Sequence, residues 1–190
     1  TRKRSSAASD VYKRQGETGL AVLAFGKLGG REMAPMSDLD LVFIYNVPAD
    51  IEGSDGTREL TPMVYFSRLG QRLVTAITSQ TGEGNLYEVD TRLRPNGRSG
   101  PVCTQFDGFK NYYQGEAWTW EFMALTRARP IYGPTGLQKV LTRIIEDAIR
   151  QPRDAKALVR DVDTMRQRIR KQYPGDKPWE IKHRPGGLVD

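Results

Sequence analysis

FGKLGGREMAPMSDLDLVFIY, residues Phe25 to Tyr45, joins a glycine-rich loop to an apolar strand that opens on two acids. Side chains alternate faces along a strand, so Asp38 and Asp40 point the same way with Cα atoms roughly 6.6 Å apart, two rises of about 3.3 Å. Carboxylates so placed repel, and a positive group is expected between them. The glycines at Gly26, Gly29 and Gly30 let the backbone approach a phosphate and turn N–H groups toward it. Lys27 offers charge beside them and Ser37 a hydroxyl. A phosphate arriving with a metal ion would answer both halves of the stretch.

Outward from this stretch the pattern is mixed. LAVLAF (Leu20–Phe25) reads as a buried strand and DLDLVFIY (Asp38–Tyr45) as a second one. The Pro, Asp and Gly of NVPADIEGSDGTREL mark an exposed connection. Val64, Leu69, Leu73 and Ile77 then recur at helical spacing, with Pro62 in the first turn. NLYEVDTRLR (Asn85–Arg94) reads as a third strand on which Glu88, Asp90, Arg92 and Arg94 share a face. PNGRSGP follows as a turn-rich loop, and the aromatic-rich run from Phe106 to Gly133 as helix broken near Gly115, with Trp118 and Trp120 expected in a core. Two amphipathic helices are expected over Thr135–Arg150 and Asp154–Gln172. The closing WEIKHRPGGLVD has no cap or turn and reads as an interrupted element.

Composition narrows the function classes. The 190 residues, 38% hydrophobic, are enough for a real core. No apolar run approaches the roughly 20 residues that span a bilayer, and no secretory signal is present. Cys103 stands alone, which removes intrachain disulfides and cysteine zinc sites and fits a reducing cytoplasm. The net charge is +6, but Arg2, Lys3, Arg4, Lys13 and Arg14 against Asp10 give +4 of it within residues 1–15. A broad nucleic-acid footprint over the remainder is therefore disfavoured.

Asp38, Asp40 and Asp90 together make an oxygen-ligand set that suits Mg²⁺, which takes one or two carboxylates along with substrate phosphates. Two such ions about 3.5–4 Å apart serve in-line displacement at phosphorus. Lys27, Arg92 and Arg94 would neutralise phosphate charge. Taken singly, each feature has a plainer reading: a solvated strand end, a glycine turn, a surface lysine, an arginine paired with an acid. Their combination is more specific. There is no G-x-x-x-x-G-K-[ST] loop and no G-x-G-x-x-G after a strand, and His183 is the sole histidine, which leaves little for a Ser-His-Asp or Cys-His apparatus.

GKLGGREMAPMSDLDLVFIY, TGEGNLYEVDTRLRPNGRSGP, EAWTWEFMALTRARPIYG and IKHRPGGLVD together resemble the glutamine synthetase adenylyltransferase family of the polymerase-beta-like nucleotidyltransferase superfamily, over roughly residues 19–190. The resemblance implies an α+β fold: a mixed sheet with flanking helices, then the start of a helical bundle. It implies a catalytic domain over 19–134 and a helical region over 135–190, with a disordered or extraneous tail over 1–18, of which residues 1–15 match nothing in the family. It further implies Mg²⁺ held by Asp38, Asp40 and Asp90, ATP as nucleotide, glutamine synthetase as protein substrate, and regulation through the PII signalling protein. One half of the family protein attaches AMP to a synthetase tyrosine and the other removes it with phosphate; TGEGNLYEVD and EAWTWE resemble the attaching half. The superfamily places its paired glycines further ahead of the acids than Gly29 and Gly30 lie here. A nucleic-acid-elongating transferase and a nucleotide-binding module without turnover are the competing classes; the first lacks a basic groove, and the presence of all three acids argues against the second.

Overall fold

The computed structural model describes residues 18–173 apart from positions 36, 55, 56, 58, 83, 85 and 86. The basic N-terminal segment, the closing run with His183, and Asn85 and Leu86 of the expected third strand lie outside the described residues.

Strand β1 (Gly19–Ala24) and strand β2 (Leu39–Asn46) are antiparallel neighbours, registered from Gly19 against Asn46 to Ala24 against Leu41. Their apolar runs are continuous because both faces are covered. Ala21, Leu23, Phe25, Val42 and Ile44 face one core; Leu20, Val22, Leu41, Phe43 and Tyr45 face the other. Strand β3 (Val89–Asp90) and strand β4 (Cys103–Gln105) run parallel to β2, beside its start and its end. Strand β5 (Arg129–Tyr132) pairs antiparallel with β1, with a bulge at Val22/Leu23. The result is a five-stranded mixed sheet flanked by helices.

Helix α1 (Gly26–Gly29) is a single turn between β1 and the loop before β2. Helix α2 (Pro62–Thr78) opens on proline, whose missing N–H costs nothing there. It covers the second core through Phe66, which stacks on Tyr45 with ring centroids 4.8 Å apart. It comes close enough to β4 that a Cβ on Gly70 would lie 2.6 Å from Cys103 Sγ. The Cys103 thiol donates to the Phe66 carbonyl at 2.9 Å, and burial pushes its pKa up to about 12. Helices α3 (Phe106–Gly115), α4 (Thr119–Leu125) and α5 (Thr135–Arg150) close the first core, with Phe109, Tyr113, Leu125, Leu137 and Leu141 buried.

The first compact unit runs through Arg150 and so takes in α5, which the expected division at residue 134 assigned to the helical region. The second unit begins at Gln151 and carries helix α6 (Ala155–Gln172), capped by Asp154, whose carboxylate accepts the Lys156 N–H at 2.9 Å. No helix among the described residues is long and apolar enough to cross a membrane.

Three expectations are corrected. Among the described residues the third strand is Val89–Asp90 and stops short of Arg94, because the Asp90 side chain turns back to accept the Arg92 N–H at 2.8 Å and ends the pairing there. Arg92 and Arg94 are therefore loop residues. The run after Gly115 is not all helix, since Arg129–Tyr132 forms β5. Trp118 and Trp120 are not core residues but are 72% and 42% exposed. Buried Glu121 takes the inward position instead, binding the Trp118 N–H at 2.8 Å and the Tyr112 hydroxyl at 2.7 Å.

Candidate active site

The parallel register of β2 and β3 sets Asp40 directly across from Asp90. Alternation places Asp38, Asp40, Val42 and Ile44 on one face, so the acids continue the line of the first core to the end of the sheet. Gly26 lies against them. It has φ +51, and a Cβ built on it would lie 2.1 Å from Asp40 Oδ2. Glycine adopts the left-handed backbone without strain and leaves the Asp40 carboxylate where it is. The Phe25 N–H donates to the Asp40 carbonyl at 2.9 Å, which ties the glycine loop to the acid strand.

Asp40 feels both of the other carboxylates. Burial, then Asp90, then Asp38 raise the pKa of Asp40 above the ordinary carboxylate value. Asp90 is held below it by the Arg92 side chain, whose Nε donates to Oδ1 at 3.0 Å and to Oδ2 at 2.7 Å and whose Nη2 also meets Oδ2. A cleft of about 400 Å³ opens here, lined by Asp38, Glu88, Asp90, Arg92, Arg94 and Arg98. A larger concavity of about 690 Å³ beneath α2 is lined by leucines and has no charged wall.

Among the described residues no three or more His, Cys, Asp or Glu side chains close into a ready cage for a metal. The donor set nonetheless fits Mg²⁺. All three groups are hard carboxylate oxygens, Gly26 leaves room at Asp40, and Mg²⁺ is ordinarily held by one or two carboxylates and substrate phosphates rather than by an all-protein cage.

The other expected residues divide. Lys27 is exposed and donates to Ser37 Oγ at 3.4 Å; its charge is felt at Asp40. Ser37 is buried, and its hydroxyl also accepts the Ala34 N–H at 3.2 Å, closing the turn that leads into β2. Gly30 follows α1 with a helical backbone. Gly29 is buried for a packing reason, since a Cβ there would lie 2.1 Å from the Arg127 carbonyl and 2.7 Å from that of Ala24. Arg94 is turned inward, 7% exposed, with Nη1 on the Thr91 carbonyl at 2.6 Å and Nη2 on the Gly100 carbonyl at 3.2 Å. It clasps the loop from Thr91 to Gly100, in which Asn96 and Gly97 both take positive φ. Arg94→Lys loses that fork. The expected result is a melting temperature lowered by about 2–8 °C, for a loss of about 1–2 kcal/mol, measured without nucleotide.

Two residues escaped the sequence reading. Arg98 lines the cleft and lowers the Asp90 pKa; its only signal was its place in the Arg92, Arg94, Arg98 series. Arg129 on β5 donates to the carbonyls of Gly29 at 2.9 Å and Leu28 at 3.0 Å, holding the end of α1 from across the sheet. Nothing local in the sequence marks it.

The glutamate-ammonia ligase adenylyltransferase family model matches residues 2–144. The chain belongs to the glutamate-ammonia ligase adenylyltransferase family. That match begins within the basic segment that the resemblance had left out. The chain is 47% identical over 171 residues to a bifunctional glutamine synthetase adenylyltransferase/adenylyl-removing enzyme of Brucella suis biovar 1 (strain 1330), covering 90% of this chain and 17% of that protein. A protein of the same description from Xanthobacter autotrophicus (strain ATCC BAA-1158 / Py2) is 52% identical over 171 residues, with the same coverage. One from Rhodopseudomonas palustris (strain TIE-1) is 45% identical over 186 residues, 98% of this chain and 19% of that protein. The chain thus spans less than a fifth of the length of the curated relatives it matches, within a family of nucleotidyl-transferring enzymes.

Proposed function

We propose that this chain carries a nucleotidyl-transfer site that moves AMP from Mg·ATP to a tyrosine of glutamine synthetase and releases pyrophosphate, so regulating nitrogen assimilation. The observation that carries the reading is the acid pair Asp40 and Asp90 in register at the sheet end, beside a glycine on which a Cβ would meet the Asp40 carboxylate and a cleft bearing Arg92 and Arg98. Asp38, Asp40 and Asp90 would hold Mg²⁺. Bound there, Mg²⁺ would stabilise charge on the attacking and leaving oxygens of the displacement.

The chain's own groups supply the rest. Gly26 and Gly30 give the backbone access to the phosphates, with Gly29 fixing the turn. Lys27, Arg92 and Arg98 neutralise the triphosphate, and Ser37 and Arg94 hold the two loops that present them. In this reading Asp90 takes the tyrosine proton, and its pairing with Arg92 makes it a weaker base until the two separate. The resemblance brings PII as regulator and a cytoplasmic place of action into the same reading.

The relatives' description names an adenylyl-removing activity as well, so the removing half is the second reading. Phosphate separates the two. Incubated with unmodified synthetase and ATP labelled at the α-phosphorus, the attaching half labels a synthetase tyrosine without added phosphate. ADP release from modified synthetase only when phosphate is present would assign the chain to the removing half.

A further inference from the structure

One arginine makes every contact described above to the Asp90 carboxylate: two from Nε, one from Nη2 and one from the backbone N–H. The partners differ in freedom. The Arg92 side chain is 62% exposed and that of Asp90 is 18% exposed. Two residues on, Arg94 is buried and bonded to the carbonyls of Thr91 and Gly100. The loop backbone is thereby fixed, and the Arg92 guanidinium can leave while its N–H keeps Asp90 Oδ1 in place.

We propose that Arg92 is a displaceable counter-ion of Asp90, holding the carboxylate until a divalent cation takes that position and then moving its charge to the nucleotide phosphates. This rests on the nucleotidyl-transfer reading of the site. The guanidinium side of the pair lies largely in solvent, where water can take over its hydrogen bonds as it leaves. A divalent cation on Asp90 repels the guanidinium, whereas two phosphate oxygens offer its planar fork a matching acceptor pair. Arg98, which also faces Asp90, keeps positive charge at the cleft throughout the exchange.

The exchange predicts effects of opposite sign from one substitution. Mn²⁺ binding is measured by electron paramagnetic resonance on the unmodified chain, Arg92→Gln and Arg92→Lys, without nucleotide, with thermal melts confirming that each is folded. Arg92→Gln should bind Mn²⁺ about three- to tenfold more tightly, because a competing cation is gone. Arg92→Lys, which keeps the charge and loses the fork, should fall between. ATP, titrated in the presence of Mn²⁺, should bind both variants more weakly than the unmodified chain. Unchanged or weaker Mn²⁺ binding by Arg92→Gln, beside an unmodified chain whose Mn²⁺ binding is abolished by Asp40→Asn, overturns the exchange alone. An unmodified chain with no Asp40-dependent Mn²⁺ binding overturns the metal reading and the exchange together.

Discussion

Asp40→Asn should lower AMP transfer at least about a hundredfold, roughly 2.7 kcal/mol of barrier, while raising the melting temperature at neutral pH. The two effects share one cause. Asp40 is pushed above the ordinary carboxylate pKa by burial and by the charges of Asp90 and Asp38, so its ionised form is disfavoured by the fold. A carboxyl group whose folded pKa is raised costs stability once the pH exceeds its unfolded value, near 3.8, and the cost is complete above its folded value. Asparagine carries no such cost. The gain in melting temperature should therefore be present at pH 7 and fade as the pH falls toward 3.8. Melts at several pH values together with transfer kinetics check both halves. A variant with retained transfer would remove Asp40 from the chemistry, and one less stable at pH 7 would contradict the electrostatic account.

Gly26→Ala should be as damaging to transfer and should move stability the other way. The left-handed backbone costs a β-carbon-bearing residue about 1–3 kcal/mol, and the new methyl would lie 2.1 Å from Asp40 Oδ2. That oxygen ends a rotatable side chain, so the carboxylate turns away and the acid pair with Asp90 is lost. Pairing Gly26→Ala with Asp40→Gly removes the collision. The double variant should recover more stability than the single effects add up to, and no activity. Strict additivity would show that Gly26 does not act through Asp40.

The parts of the fold legible in the sequence are those whose signal is local and long. β1 and β2 are continuous apolar runs buried on two faces, α2 announces itself by Pro62 and its apolar spacing, and α5 and α6 by their amphipathic stripes. β4 and β5 were hidden because Cys103–Gln105 and Arg129–Tyr132 are too short for a period to register, and Pro130 speaks against a strand unless it lies at a sheet edge, as β5 does. The third strand was overdrawn because Asp90 serves its own backbone as a turn residue, which alternation does not reveal. Trp118 and Trp120 were misplaced because the buried polar residue of α4, Glu121, occupies the inward position that an aromatic was expected to take.

At the site, the acids could be read because a strand fixes their spacing, whereas the arginines could not be sorted. Arg92, Arg94 and Arg98 look alike in sequence and all three line the cleft, and only the loop's turn ties the Arg94 guanidinium to the carbonyls of Thr91 and Gly100. The glycines divide in the same way. Gly29 is needed by backbone packing and Gly26 by the Asp40 carboxylate, a distinction set by residues far along the chain.

The most direct measurement follows two labels in one reaction of the chain with Mg·ATP and unmodified glutamine synthetase, one at the α-phosphorus and one at the γ-phosphorus. The account predicts the α label on a synthetase tyrosine and the γ label in pyrophosphate in equal amounts, with neither event in Asp40→Asn. Release of the γ label as orthophosphate with none of the α label on the synthetase would contradict it.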